Sequence, residues 1–272
     1  MERWTTAEVL AASQGLDEAW LSSGIEVVRT DDCLVLCRPV HLSSPGSSRV
    51  QASIKSPRPF LEIRPEVERL ARAWGTDEVL WRAEGEIAPV ANESLRSAGA
   101  SLALTERVMA RALHGTDVDA WLASGNPSGV STSLVADEGT FDALVGVETT
   151  GWSWPPRSAD VLAEDWVSLR TDLESSSKFA LLATVDGTPA SVARLALSES
   201  VVRLFGAVTL PAFRGRGLYR ALLAARCKLA RANGATLALT KGRVETSAPI
   251  LERVGFRSYA VEQCWRLSVD AS

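Results

Sequence analysis

Glycine and arginine alternate in one short segment that joins an apolar run to a predicted helix. The segment consists of Phe213, Arg214, Gly215, Arg216, Gly217, Leu218 and Tyr219. A helix N-terminus leaves about four backbone N–H groups without partners and carries partial positive charge, so it attracts anions. Glycine lets the backbone approach a phosphate closely, and arginine adds charge. The segment therefore predicts a pyrophosphate site, although a plain strand-to-helix turn with solvated arginines has the same composition.

Two other phosphate-binding motifs are excluded at this turn, because no Lys-Ser/Thr pair follows the glycines and the three-glycine dinucleotide fingerprint is absent. The turn instead resembles motif A of the GCN5-related N-acetyltransferases (GNAT), Arg/Gln-x-x-Gly-x-Gly/Ala. Arg214 and Gly217 match its first two named positions, whereas Tyr219 departs from the small third residue. Residues 247–256 resemble the motif B helix of the family, which ends in Gly-Phe. With the strands before them, the two motifs cover about residues 131–268.

The resemblance implies a V-shaped opening between the predicted strands 201–210 and 235–239. Acetyl-CoA would lie there, with its pyrophosphate on the amides of residues 213–219. Its pantetheine would pair with the backbone of Val208, Thr209 and Leu210. Gly206, in the middle of the first strand, fits either a bulge that splays the two strands or a close-packing contact.

The implied reaction is direct attack of an amine on the thioester, which needs a path for the amine proton and an acid for the thiolate. Many family members place a tyrosine acid four residues before the glycine of Gly-Phe, but that position is Leu251 here. Three other residues are candidates for acid or base: Ser247, Tyr259 and Glu245. Their ordinary alternatives are a helix cap, strand packing and a solvated loop. Strand 201–210 carries no carboxylate that would serve as base.

Trp152 and Trp154 flank Ser153, directly before Pro155 and Pro156. In the family this region shapes the acceptor pocket, so the resemblance implies that the two tryptophans contact the substrate. Aromatic rings on a proline-stiffened loop can line an apolar or cationic pocket. The alternative is that they cover the core beneath a long loop.

Apolar periodicity and turn residues predict the elements that position these side chains. In the first half they predict helices at 6–14, 16–22, 65–74 and 92–98, strands at 25–28, 33–40 and 78–81, and a loop at 41–49. In the second half they predict strands at 131–136, 144–149, 179–185, 190–197, 201–210, 235–239 and 259–267, and helices at 159–174, 218–233 and 247–254.

One segment recurs. Residues 95–100 and residues 251–256 each form a helix end, a glycine and the start of an apolar run. Together with the resemblance, the repeat implies an α/β (α+β) fold with two GNAT-like mixed-sheet units in tandem, of which only the C-terminal unit keeps the acetyl-CoA motif. The best linker, residues 125–129, sets the boundary: a degenerate N-terminal domain at 1–126 and an acetyltransferase domain at 127–272. An unrelated α/β cap is the alternative for the first half.

Composition excludes several classes of protein. The 272 residues carry 33 acids against 29 bases, a net charge of −4, which argues against a nucleic-acid-coating or polybasic membrane-binding surface. No run approaches the roughly 20 apolar residues of a membrane span, and the start has no signal core. We therefore expect a cytoplasmic protein without nucleic-acid or membrane partners. Four scattered cysteines and two histidines predict buried thiols and no metal site.

The resemblance implies an enzyme that transfers an acetyl group from acetyl-CoA to a primary amine of a small molecule. The alternative is a non-catalytic protein that binds acyl-CoA as a sensor or partner-binding module, which the missing acid favours. A third possibility, acetylation of a protein, needs an open groove. Exposed apolar residues on the closing strand would allow a homodimer.

Overall fold

The computed structural model describes residues 4–14, 21, 24–43 and 48–269. Apart from residue 21, the predicted helix at 16–22 lies outside the described residues, as do residues 44–47 of the predicted loop. The described part contains eight α-helices and one mixed sheet of eleven strands. The strands are β1 (Glu26–Arg29), β2 (Cys33–Cys37), β3 (Val50–Ile54), β4 (Glu78–Ala83), β5 (Ser101–Ala112), β6 (Val130–Leu134), β7 (Lys178–Val185), β8 (Thr188–Ser198), β9 (Val201–Thr209), β10 (Leu237–Arg243) and β11 (Arg257–Ser268). The helices are α1 (Thr6–Gln14), α2 (Phe60–Ala73), α3 (Ala88–Ser97), α4 (Thr116–Ala123), α5 (Glu138–Trp152), α6 (Ala159–Glu174), α7 (Leu218–Ala232) and α8 (Ala248–Arg253).

The two halves share one sheet, with the order β1-β2-β3-β4-β11-β5-β10-β9-β8-β7-β6. Each half places its last strand beside the other half. Strand β5 pairs with β10, and β11 pairs with β4, while β5 and β11 pair with each other at the centre. The sheet of each half is therefore completed by a strand of the other.

The predicted repeat is confirmed. Each half contains an antiparallel series, a helix, a strand parallel to the last one, a short helix and a long final strand. Gly99 and Gly255, at the ends of α3 and α8, both have φ +84°. The following residue donates its N–H to the carbonyl five positions back in both halves, Ala100 to Leu95 and Phe256 to Leu251.

Two sides of the sheet carry separate cores near β9 and β10. On one side α7 and α8 pack on Ala238 and Val202, and on the other side α1 packs on Leu237 and Leu239. Neighbouring residues of a strand alternate between sides, which explains the division of 237–239. Helices α5 and α6 cover the α1 side over β7 and β8.

The predicted strand at 144–149 is wrong, because these residues form the second half of α5. The side chain of Asp137 accepts the N–H of Thr140, and the Thr140 hydroxyl receives the N–H of Asp137, so the pair caps a helix. Phe141, Leu144 and Val147 then lie on one buried face. The prediction also lacked β3 and α4. The predicted strand at 33–40 ends at Cys37, and Val40 begins a short 3₁₀ turn.

All four cysteines are buried and unpaired, as predicted. Burial raises the pKa of Cys33 and of Cys227 to about 12. Within the described part of the chain, no helix is both long and apolar enough to span a membrane.

Candidate active site

Strands β9 and β10 are parallel neighbours that separate partway along their length. They pair at Val201, Val202 and Arg203 of β9, opposite Leu237 to Leu239 of β10. Beyond Arg203, β9 continues beside β8 to Thr209, whereas β10 continues beside β5 to Arg243. The predicted opening between the strands is therefore present.

A bulge in β9 accompanies the separation. Val192 of β8 faces Val208, and Arg194 faces Phe205, so β9 contributes one more residue than β8 in this interval. Gly206 lies in the bulge with φ +57°, a conformation that side chains rarely adopt. The sequence left two interpretations of this glycine, and the structure supports the bulge.

The glycine-arginine turn leads from β9 into α7. Among the described residues, the backbone N–H groups of residues 215–220 donate no hydrogen bond to a backbone carbonyl. The first bond of the helix is donated by Ala221 to the carbonyl of Gly217. Gly215 and Gly217 have φ +77° and +82°. Arg214 and Arg216 are exposed, and Arg214 Nε donates to the carbonyl of Thr209 at 3.3 Å. The turn thus presents a row of donors and two cations at a helix N-terminus, which suits a pyrophosphate.

The core-facing residues of the turn hold it in place. Leu218 is buried, and Phe213 and Tyr219 pack against the core under α7. Burial raises the pKa of Tyr219, and the positive charge of Arg226 opposes that rise. Tyr219 therefore points inward, away from the row of N–H groups.

The three residues that were predicted to pair with pantetheine do not all face the same edge of β9. Leu210 N–H donates to the carbonyl of Ala190 at 2.9 Å, and the carbonyl of Val208 accepts the Ser191 hydroxyl at 2.8 Å, so both are bonded towards β8. Because backbone groups alternate between the two edges of a strand, Thr209 lies between them on the edge towards the opening.

The two tryptophans lie at the end of α5, next to β9. A Cβ built on Gly151 would be 2.6 Å from a methyl group of Val208, so only glycine permits this close approach of α5. The chain then turns at Ser153, and the rings of Trp152 and Trp154 pack with centroids 4.5 Å apart. Both rings are half-buried.

A buried ion-pair network near these tryptophans was missed by the sequence analysis. Glu148 of α5, whose side chain is 1% exposed, accepts two hydrogen bonds from Arg194 at 2.7 and 2.9 Å and one from Arg157 at 3.1 Å. Arg157 also pairs with Asp165 at 2.8 Å and lies 5.8 Å from the ring of Trp154. The network fixes the tryptophan loop to α6 and to β8 beside the bulge. An acid on the apolar face of a helix was the available signal, but residue 148 had been assigned to a strand.

The three candidates for acid or base lie in different surroundings. Ser247 precedes α8 on the α7 side of the sheet, and its Oγ accepts the N–H of Arg243 at 2.9 Å. Glu245 is exposed in the same turn. Tyr259 packs into the core on the α1 side, which also includes Phe205. Leu251, at the position of the usual acid, is fully buried. Ser247 and Glu245 therefore share one turn, whereas Tyr259 lies on the other side of the sheet, so the three do not form one catalytic group.

A second charged network crosses the junction of the halves. Lys241 Nζ lies 2.8 Å from Glu84 and 2.6 Å from Glu262, and Lys55 lies 3.0 Å from Glu84. Burial opposes the ionisation of Glu84, but Lys241 and Lys55 outweigh it, and the pKa of Glu84 is lowered. The network connects β10, two residues beyond its last pairing with β9, to the end of β4.

Comparison with known proteins agrees with this geometry. Residues 142–256 match the Acetyltransferase (GNAT) family. A GCN5-related N-acetyltransferase from Kribbella flavida has a similar structure, with a TM-score of 0.65 and 17% identity over 98% of this chain and 96% of that one. A tandem GNAT protein from the clavulanic acid biosynthesis pathway has a TM-score of 0.59 and 15% identity, over 97% and 93% of the two chains.

A GCN5-related N-acetyltransferase from Sphaerobacter thermophilus gives a TM-score of 0.63 and 15% identity, over 98% and 86%. No curated protein matches the sequence. At these identities the structures show a common fold, which extends over both halves of the chain. Residues 142–256, which include the motif A turn and the separated β9 and β10, therefore match the GNAT family, and the chain as a whole has the tandem form of the GNAT fold.

Proposed function

We propose that this protein transfers an acetyl group from acetyl-CoA to a primary amine of a small molecule. The observation that carries the proposal is the combination of the separated β9 and β10 with the open row of N–H groups at residues 215–220. The turn offers donors and charge to a pyrophosphate, and the gap offers a strand edge to pantetheine. Both features lie in the half proposed as the acetyltransferase domain, residues 127–272.

The amine nitrogen would attack the thioester carbonyl carbon directly, the C–S bond would break, the nitrogen would lose a proton, and CoA would leave as a thiol after its sulfur gains one. In this proposal β9 holds the thioester at its bulge, so catalysis relies chiefly on proximity and orientation, which alone can lower a barrier by several kcal/mol. Ser247, Glu245 and Tyr259 remain the candidate acid and base residues. Ser247 is engaged as an acceptor but keeps its own hydroxyl proton to donate.

The acceptor enters on the side of the tryptophan pair. Trp152 and Trp154 form a tilted ring pair at the end of α5, where α5 approaches β9, and a ring face attracts an ammonium group. Half-buried rings on an anchored loop suit a small organic amine.

A second candidate function, acyl-CoA binding without catalysis, is favoured by one observation. Leu251 is fully buried at the position where the family usually places its acid, and a leucine side chain has no proton to donate to a thiolate. Binding without turnover over a broad panel of amines would support this function and contradict the enzyme.

The first experiment is a calorimetric titration with acetyl-CoA of the wild type and of the double variant Arg214→Glu/Arg216→Glu. Both arginines are exposed, so the change leaves the core intact. We expect binding by the wild type and a loss of about a hundredfold in the variant, because two charge-assisted contacts are replaced by repulsion.

Lys228→Glu is the matched control, since Lys228 is exposed on the same helix but distant from the turn. It should leave the affinity unchanged. Absence of acetyl-CoA binding by the wild type would overturn both candidate functions, and equal loss in the control would show a general charge effect. A turnover assay on amines, following release of free thiol, then separates enzyme from sensor.

A further inference from the structure

Arg226 of α7 is an arginine buried in the core without an acidic partner. Its exposed fraction is 1%, and no ion pair among the described residues includes it. Burial lowers its pKa, opposed by the neighbouring Tyr219 and Cys227. Burying a guanidinium is unfavourable unless its donors are used. An apolar residue would fill this helix position at lower cost, so the contacts made by the guanidinium define its role.

The donors of Arg226 are directed at the bulge. Nη1 lies 3.1 Å from the carbonyl oxygen of Arg194 and 3.4 Å from that of Phe205. These two residues face each other across β8 and β9 and form the first pair on one side of the bulge at Gly206. One nitrogen therefore bridges both strands at the point where the register changes. Nε donates to the carbonyl of Leu222, one turn back in the same helix, which orients the side chain.

Arg226 lies on the face of α7 that begins at the cofactor turn. Tyr219, the second residue of α7, is seven residues earlier, two turns of the helix, and so lies on the same face. The positive charge of Arg226 opposes the rise that burial causes in the pKa of Tyr219. The guanidinium thus lies behind the turn, and its hydrogen bonds go to the bulge and to its own helix.

Resting on the proposed function, we infer that Arg226 is a positioning residue for acetyl-CoA: it holds the β9 bulge in the shape that receives the thioester end of the ligand. The bulge breaks the regular ladder between β8 and β9, and the Arg226 donors satisfy carbonyls on both strands there. Without them, β9 would relax towards regular pairing with β8 or shift across the opening. Binding of the nucleotide end depends on the turn and its N–H groups, which Arg226 does not contact.

If Arg226 positions the bulge, its replacement weakens the binding of acetyl-CoA but not the binding of the nucleotide half alone. The test compares Arg226→Met with the wild type, because methionine fills a similar volume without donors. Affinities are measured by calorimetry for acetyl-CoA and for 3′-phosphorylated ADP, the nucleotide half of CoA without pantetheine. We expect the variant to bind acetyl-CoA about tenfold more weakly or worse, as misplaced binding groups do, and to bind the nucleotide within about twofold of the wild type. A fold merely weakened by the substitution would not separate the two ligands.

Arg226→Lys and Tyr219→Phe extend the test. Lysine keeps the charge but has a single nitrogen, so it cannot bond both the Leu222 carbonyl and the two bulge carbonyls as Nε and Nη1 do, and we expect intermediate loss for acetyl-CoA only. If Arg226→Met does not fold, as judged by circular dichroism, Arg226→Lys decides the question. Tyr219→Phe leaves the bulge contacts in place and should keep acetyl-CoA affinity above that of either Arg226 variant.

Two results would overturn the inference. Acetyl-CoA affinity unchanged in both folded Arg226 variants would show that the bulge keeps its shape without the arginine. Parallel loss of both ligands would assign Arg226 to the turn or to stability alone. Failure of the proposed function is recognised separately, because then the wild type itself binds no acetyl-CoA and the inference falls with it.

Discussion

Two parallel strand pairs occupy equivalent places in the two halves, but only one of them opens. β3 and β4 pair from Val50 and Val79 to Ile54 and Ala83, where both strands end. β9 and β10 pair over three residues and then continue apart. The open pair contains the Gly206 bulge, whereas no register shift interrupts β3 beside β2. Strand length and one bulge therefore distinguish a cleft from a closed sheet.

The loop that follows β9 and the loop that follows β3 also differ in the backbone N–H groups that they offer. Before α7, the N–H groups of residues 215–220 are available. Before α2 stand Pro57 and Pro59, which have no N–H, and Arg58, whose N–H donates to Ser56 Oγ at 3.1 Å. The N-terminal unit has kept the fold but not the features that suit a phosphate. We propose that it contributes strands and support, and that each chain binds a single acetyl-CoA.

The largest effect is expected from separating the halves at the proposed boundary. In residues 127–272 alone, β10 would lose seven residue pairs with β5, and β11 would lose nine with β5 and five with β4. Unpaired central strands are a strong aggregation hazard. We expect no cooperatively unfolding monomer by circular dichroism and size-exclusion chromatography, and recovery when residues 1–126 are produced together with it. A monomeric fragment with a sharp thermal transition would show that the halves are independent.

The next effect concerns the buried carboxylate that joins the halves. Glu84→Gln leaves Lys241 paired with Glu262 and removes the ion pair between Lys55 and Glu84. We expect a loss of about 2 kcal/mol in unfolding free energy at neutral pH, measured by urea titration. Glu252→Gln, at a half-exposed pair with Arg107, should change stability little.

The pH dependence of that loss follows from the lowered pKa of Glu84. A carboxyl whose folded pKa lies below its unfolded value stabilises the fold fully above the unfolded value of 4.5. Its contribution is lost as the pH falls through the lower folded pKa. The difference between wild type and Glu84→Gln should therefore be largest near neutral pH and shrink in acid. A difference independent of pH would exclude ionisation as its cause.

Gly99 after α3 and Gly255 after α8 allow a direct comparison of the two repeated helix ends. Gly99 and Gly255 share φ +84°, so alanine at either costs about 1 kcal/mol in backbone strain. At Gly99 nothing lies within 4 Å of an added Cβ, whereas at Gly255 it would be 3.0 Å from Cζ of Arg111. That arginine is held by the Val254 carbonyl, Asp117 and the Trp121 ring. Gly255→Ala should therefore cost about 1 kcal/mol more, by urea unfolding, and equal costs would show that Arg111 moves freely.

Local patterns in the sequence identified the parts of the site that depend on local structure. The glycine turn, the bulge at Gly206 and the break at residues 151–156 all depend on residues close together in sequence. The run 144–149 was misassigned because its β-branched residues resemble a strand, while the deciding cap at Asp137 lies seven residues earlier. The exchange of β5 and β11 was beyond sequence reasoning, because strand patterning does not identify the partner of a strand. Arg226 was missed because its partners are backbone carbonyls of distant residues.

The smallest effects on stability come from single arginines in the two equivalent loops, and these variants compare the two loops most directly. Arg214→Ala should weaken acetyl-CoA binding about tenfold with little change in stability, because Arg214 is exposed and its side chain bonds the Thr209 carbonyl at the end of β9. Arg58→Ala should leave binding unchanged and lower stability slightly, because Arg58 pairs with the buried Asp32. Calorimetry with acetyl-CoA and urea unfolding on both variants measure the two effects. If Arg58→Ala weakened binding, or if titration gave two acetyl-CoA molecules per chain, the N-terminal loop would have to be a ligand site, and the closed β3–β4 pair would not prevent it.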